Sequence, residues 1–375
     1  MSRIHATFSV AMFLAFGFFL SSAEGAEPQV MTVTGSINAS QLGVTLPHEH
    51  VLVDFIGADL VDPSRYDQNA AYAVILPYLQ QAKTLGVKSF FECTPNYLAR
   101  DVVLLERLAV ATDLNIVTNT GYYGAGANNK FLPSHAFTDT VDELAARWID
   151  EHDNGIEGTG IRPGFIKISV SSGPLSTVHE KLIRAAARAH LATGLTIASH
   201  TTDGEAARAQ MAILQSEGVD GSAFIWVHAQ NESDTLDHRF MALKGAWIEF
   251  DNINTNTITS NVQFVQMMKD SGILDHVLLS HDAGWYDVGG VGGASFRGYD
   301  TLFTAFIPAL QAAGFTTQEI EQLTVDNPRA AFAIGVRVPA PLFLVPGLSV
   351  GGVVALITLI TAYVVRRIGK KRRSF

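Results

Sequence analysis

The sequence predicts an α/β fold, a single (β/α)8 barrel, with an N-terminal signal peptide and a C-terminal transmembrane helix outside it. Three observations lead there. Eight short runs rich in β-branched and aromatic residues alternate with segments of helical periodicity, the pattern of parallel βα units. Polar side chains able to hold a metal fall at the C-terminal ends of the first, fourth, fifth, sixth and eighth runs, and in a barrel all those ends face one opening. Both termini carry apolar stretches that an otherwise ordinary composition, 47% hydrophobic and 17% charged, does not require.

Taken in order, residues 35–42 read as a hairpin or turn, and Val44 to His50 as the first core strand. Asn69 to Leu85 has helical spacing and stops at Gly86, a residue suited to a helix C-terminus. Val87 to Thr94 is a strand, Asp101 to Leu114 a helix and Asn115 to Thr120 a strand. A long Gly, Asn and aromatic loop then runs from Gly121 to Phe137. Thr140 with Glu143 has capping-box spacing for a helix to Asn154, and Thr177 with Glu180 repeats it for a helix ending at Gly194, with the strand Gly164 to Val170 between them. The remaining strands are Leu195 to His200, Ala223 to Ala229, Ala246 to Asp251 and His276 to Asp282. Helices follow at Gly204 to Glu217, Asp234 to Lys244 and Asn261 to Ser271, and Thr301 to Ala313 and Thr317 to Phe332 close the domain.

The ends have their own logic. Residues 1–26 combine Arg3, an apolar core from Ala11 to Leu20 and small residues at Ser21, Ala23, Gly25 and Ala26, the pattern of a secretory signal peptide. The catalytic domain is expected over 27–337 and a Pro-rich linker over 338–344. Residues 345–365 run uncharged for 21 positions, enough to cross a bilayer, and the basic tail 366–375 should stay cytoplasmic. The chain is therefore expected to be exported and anchored with its domain outside the cytoplasm. Its net charge is −10, and more negative still without that tail, which argues against nucleic-acid binding through long-range electrostatics. The single cysteine, Cys93, excludes an internal disulfide and reads as an inert core thiol.

The candidate chemistry begins at His48 and His50, which project from one strand face about 7 Å apart and can share a metal centre. Lys167, His200, His228 and Asp282 each close a later strand-like run. Lys167 is the unusual member, because burying an unpaired ammonium costs several kcal/mol. It pairs with a nearby carboxylate such as Glu92, or carbon dioxide converts it to an anionic carbamate with two metal-binding oxygens. His281 should face the helix layer by strand alternation. No Ser-His-Asp spacing competes for a nucleophilic role.

His48-x-His50, Lys167, His200, His228 and Asp282, in this order and at these strand positions, resemble the phosphotriesterase family of the amidohydrolase superfamily between about Thr32 and Ala333. The resemblance implies two divalent ions, zinc being the usual choice. His48, His50 and Asp282 would hold one and His200 and His228 the other, bridged by carboxylated Lys167 and a hydroxide. It further implies hydrolysis of a small-molecule ester, phosphotriester first and lactone second, with Asp282 accepting the proton, and a homodimer. Tyr122 and Tyr123 resemble the aromatic that contacts the reacting oxygen in the family's lactonases, and Tyr122 is assigned the catalytic role. The family's relay His or lactonase Arg at the seventh strand end is replaced by Asn252. The loop 283–298, with Trp285 and Tyr286, is expected to be a lid. A different amidohydrolase activity, or a noncatalytic protein with a closed metal shell, would use the same residues.

Overall fold

The computed structural model describes residues 27–334; the expectations for residues 1–26 and for the linker, span and tail of 338–375 lie outside it. No helix among the described residues is long and apolar enough to cross a membrane.

The strands facing the site are β1 (Thr45–Glu49), β2 (Ser89–Glu92), β3 (Asn115–Val117, resuming as Asn119–Thr120), β4 (Phe165–Ser169), β5 (Ile197–His200), β6 (Phe224–Val227), β7 (Trp247–Phe250) and β8 (Val277–Leu279). All neighbouring pairs are parallel: β1-β2-β3 on one side of the break at Thr118, and β3 through β8 in sequence order on the other. The first and last strands meet through Asp282 N to His48 O (3.1 Å) and His50 N to Ala283 O (2.9 Å). This is an α/β fold of parallel strands consistent with a TIM barrel.

Between strands run α1 (Gln68–Thr84), α2 (Val102–Thr112), α3 (Val141–Asn154), α4 (Thr177–Thr193), α5 (Gly204–Ser216), α6 (Thr235–Leu243) and α7 (Ile258–Asp270). Four of these helices begin on an aspartate cap: Asp101 and Asp234, which stand at expected starts, and Asp67 and Asp203, just before them, accept backbone N–H groups of the first turn. The Thr140–Glu143 capping box forms as expected. The second box does not, because Ser176, one residue earlier, takes the cap position and accepts from His179 N. The closing helices also differ from expectation, since each contains a widened π turn, at Leu302–Phe306 and Gln322–Asp326.

The core has two parts. Leu, Ile and Ala side chains fill the space between strands and helices. Inside the strand ring, Phe91, Phe165, Ile225 and Leu278 stack toward the N-terminal end, where Phe332 packs 4.0 Å from Phe91 between ring centroids. That end is covered by an N-terminal hairpin, Gln29–Thr32 with Gly35–Asn38, which contributes Val30. The apolar plug leaves only the C-terminal end of the ring for polar chemistry.

Candidate metal centre

All six expected ligands, His48, His50, Lys167, His200, His228 and Asp282, line one cavity of about 70 Å³ at the C-terminal ends of the strands. Val53, Phe55, Cys93, Thr94, Pro95, Leu98, Tyr123 and Trp285 complete its wall. Two of the six sit in left-handed backbone, His228 at φ 65° and Asp282 at φ 50°, a conformation L-residues adopt sparingly and often at functional sites. His228 lies one residue and Asp282 three residues past a strand end, where the bend turns the side chain inward.

The orientation of the imidazoles is set from behind. Thr94 Oγ1 donates to Leu52 O (2.9 Å) and so accepts from His50 Nδ1 (2.8 Å). Asp251, just past β7, accepts from His48 Nδ1 (2.9 Å) and from His228 Nδ1 (2.7 Å), while Gln230 and the His228 backbone N–H also donate to it. One buried carboxylate thus fixes the tautomers of two candidate ligands, the arrangement metal-binding histidines usually require. Burial would raise the Asp251 carboxyl, but His228 and His48 hold it well below the usual range, so it stays an acceptor. Asp251 and the two Nδ1 atoms also lie close enough to be read as ligands themselves. Their 2.7–2.9 Å separations are hydrogen-bond lengths, which leaves the Nε2 faces for the cavity.

What those faces meet fits a cation. His50 Nε2 lies 3.1 Å from Asp282 Oδ1, a buried oxygen that makes no hydrogen bond. Burial lowers the His50 imidazole to about 4, so it is neutral at physiological pH. Burial alone would raise the Asp282 carboxyl, but the imidazoles of His50, His48 and His228 hold it down at about 2. Two lone-pair donors at that distance repel unless a positive ion lies between them. His48 Nε2 is 3.8 Å from the same oxygen, completing a His48–His50–Asp282 donor group. Desolvation likewise holds His200 well below its ordinary value, and its ring packs edge-on 4.3 Å from His228.

Lys167 is 2% exposed, with Nζ 3.2 Å from His48 Nε2. Among the described residues no carboxylate lies within 4 Å of it; Glu92 instead accepts from Val51 N and Thr94 N. Gly121, at the end of β3, is what permits Lys167 its place: at φ 120° any Cβ there would collide with the Lys167 carbonyl. Burial raises the Cys93 thiol to about 11, which keeps it protonated beneath the site.

The structure differs from expectation at the tyrosines. Tyr122 turns away, its hydroxyl 3.0 Å from His135 Nε2 and its ring against Trp148, because its backbone pairs with Asn96. Tyr123, which pairs with Ser169, faces the cavity, its hydroxyl 3.3 Å from the His200 ring nitrogens. Asn252 does not reach the cavity, since its amide oxygen accepts from Asn261. His281 faces the helix layer as expected, donating to Glu49 (2.6 Å) and accepting from Leu302 N (2.8 Å). The loop 283–298 is fastened at its base: Tyr286–Asp287 pairs in parallel with Leu52–Val53.

Sequence reasoning missed Asp251, Thr94 and Glu49. Asp251 occupies a strand end like the ligands, so the same rule would have found it. Thr94 and Glu49 carry no comparable signal.

The comparisons agree with this geometry. The model of the phosphotriesterase family matches residues 28–332. A phosphotriesterase homology protein of Escherichia coli is 34% identical over 77% of this chain and 98% of its own length. An aryldialkylphosphatase of Saccharolobus solfataricus is 27% identical over 80% and 97%, and an N-acetyltaurine hydrolase of Mus musculus 25% identical over 83% and 98%. A matching family model across most of the chain and a mouth lined by histidines, an aspartate and a buried lysine lead to one conclusion: the chain belongs to the phosphotriesterase family.

Proposed function

We propose that this protein is a hydrolase dependent on two divalent metal ions, zinc first, that cleaves an ester bond, with an aryl phosphotriester as the leading substrate. The observation that carries the reading is the convergence of four imidazoles, the orphaned Asp282 oxygen and the unpaired Lys167 on one cavity. His48, His50 and Asp282 would hold one ion, His200 and His228 the other, and Lys167, carboxylated by carbon dioxide, would join them. Such a pair of ions lowers the pKa of a shared water, polarises the substrate oxygen and stabilises the charge of the transition state.

The chain's own residues supply the rest. Asp282, ionised at neutral pH, would take the proton of the attacking water and return it to the leaving oxygen. Asp251 and Thr94 hold three imidazoles with Nε2 inward, so the site is organised before substrate arrives. The Tyr123 hydroxyl, held protonated because burial raises its pKa, can donate to the substrate oxygen.

A second reading is hydrolysis of a lactone, which rests on the family resemblance, or of an amide, which draws on the N-acetyltaurine hydrolase name among the relatives. The deciding experiment measures metal content together with turnover of an aryl phosphotriester, an aliphatic lactone and an N-acetyl amide. Two metals per chain and chelator-sensitive turnover are expected, with the relative rates selecting the bond. Two firmly held metals and no turnover of any of the three would leave other esters and amides to test before a binding protein gained ground. Lys167→Ala should lose both metals and activity, with partial rescue by a short carboxylate; two retained metals would remove the carbamate.

The reading also includes export by the 1–26 segment, anchoring by 345–365 and a homodimer. The sequence pattern of both ends supports the first two, and family resemblance the third. Fractionation of cells expressing the full chain should place it in the membrane, released when the span is deleted; sedimentation of that shortened chain should give a dimer.

A further inference from the structure

The cavity among the histidines, about 70 Å³, has room for a few water molecules and little more, so most of any substrate lies outside it. Three of its wall residues, Val53, Phe55 and Trp285, also wall a neighbouring cavity of about 330 Å³, completed by Asp287, Ala294, Ser295 and Arg297. The Phe55 and Trp285 rings stand 5.4 Å apart at the shared boundary. This outer space lies on the side of Asp282: Arg297 donates to the Asp282 carbonyl and its guanidinium lies 5.7 Å from the Trp285 ring centroid. A leaving group released beside Asp282 has this adjoining space to enter through the shared wall.

The charge there points to a class of substrate. Arg297 has no carboxylate within 4 Å among the described residues, so its remaining N–H groups stay available. Asp287, the one acid on the wall, accepts Gly289 N at 2.9 Å and serves its own turn. Across the boundary a second cation, Lys130, donates to the Phe55 carbonyl (2.9 Å) and lies 4.9 Å over the Phe131 ring, also with no carboxylate within 4 Å. Cations held by main-chain carbonyls and aromatic faces, with no carboxylate to neutralise them, favour a negatively charged guest at this spot.

We propose that the outer cavity is a subsite for a leaving group that carries an anionic oxyacid, a carboxylate or sulfonate, bound by Arg297, with its apolar part held between Phe55 and Trp285. The inference rests on the hydrolase reading above and narrows its substrate. The test compares two esters of one skeleton on the zinc-loaded full chain, 4-acetoxybenzoate and the uncharged 4-acetoxybenzamide. Each takes up one water and yields acetate with the corresponding phenol. The anionic ester should be preferred in kcat/KM by about tenfold or more, the scale of a hydrogen bond to a charged group. Arg297→Gln should bring the ratio close to one, and Arg297→Lys should keep part of it, which guards against a variant that merely misfolds. A ratio near one in the unaltered protein overturns the subsite, as does a preference that survives Arg297→Gln or follows Lys130→Gln instead. Should neither ester turn over, calorimetry of 4-hydroxybenzoate against 4-hydroxybenzamide separates the two ideas. A preference for the acid that depends on Arg297 upholds the subsite while the ester reading fails, and equal binding removes the subsite.

Discussion

Asp251 shows how much of a metal centre can depend on a residue that need not touch the metal. Its two oxygens reach His48 and His228, which the proposed ligand set assigns to different ions. Asp251→Asn keeps the shape but places an NH2 group where one imidazole N–H now donates, forcing that ring into the wrong tautomer or out of place. Metal affinity should fall about 10- to 100-fold for this reason, read by competition with a chromogenic chelator. An unchanged affinity would mean the imidazoles are held by packing alone. Glu92 offers a pH test in the metal-free chain. Burial raises its carboxyl to about 7 from an ordinary 4.5, so the folded state keeps a proton that the unfolded state has released. Its contribution is full below about 4.5 and lost as pH rises to about 7. Relative to Glu92→Gln, the wild type should therefore lose on the order of 2 kcal/mol across that window in paired urea titrations. Parallel curves would place the Glu92 pKa near its ordinary value.

Between elements, the closure of β8 onto β1 depends on a side chain that points away from the site. Glu49, alternating between His48 and His50, accepts from Ser280 Oγ (2.8 Å), His281 N (3.0 Å), His281 Nδ1 (2.6 Å) and Ala283 N (2.9 Å). It fastens the segment carrying Asp282 to the strand carrying the two histidines. Gly284 works beside it at φ 92°, since any Cβ there would strike the His50 carbonyl. Removing the carboxylate leaves four donors to find other partners, so Glu49→Ala should cost about 3 kcal/mol or more in chemical denaturation. Metal content should drop as well, because Asp282 loses its register. A stable variant with full metal content would show that backbone bonds between the two strands suffice.

At the scale of the whole molecule, the ring of strands has a dry end and a wet end. Phe332 joins Phe91 and Phe165 to seal the first. Phe332→Ala should destabilise the domain by about 3–5 kcal/mol in denaturant titration, the usual cost of an emptied aromatic site, while leaving metal stoichiometry intact in the molecules that remain folded. A loss of metal parallel to the loss of stability would mean that the two ends are coupled through the strands.

The alternation of strands and helices, the Thr140–Glu143 cap and the gathering of His48, His50, Lys167, His200, His228 and Asp282 at one mouth were legible in the sequence, although Lys167 sits in the middle of its strand and not at its end. These depend on periodicity and on local hydrogen bonding, and both are written in neighbouring residues. Tyr123 rather than Tyr122 at the mouth was not legible. A one-residue change of facing follows from which strand each tyrosine pairs with, Ser169 on one side or Asn96 on the other. The cap at Ser176 and the π turns of the last two helices escaped because competing caps and tertiary anchors decided them. Asp251 stands at a strand end that the sequence shows, but its pairing with two histidines, like that of Glu49 across 230-odd residues of chain, was decided by the tertiary structure. The partners of a buried carboxylate are set by which strands the fold makes neighbours, and no local pattern records that choice.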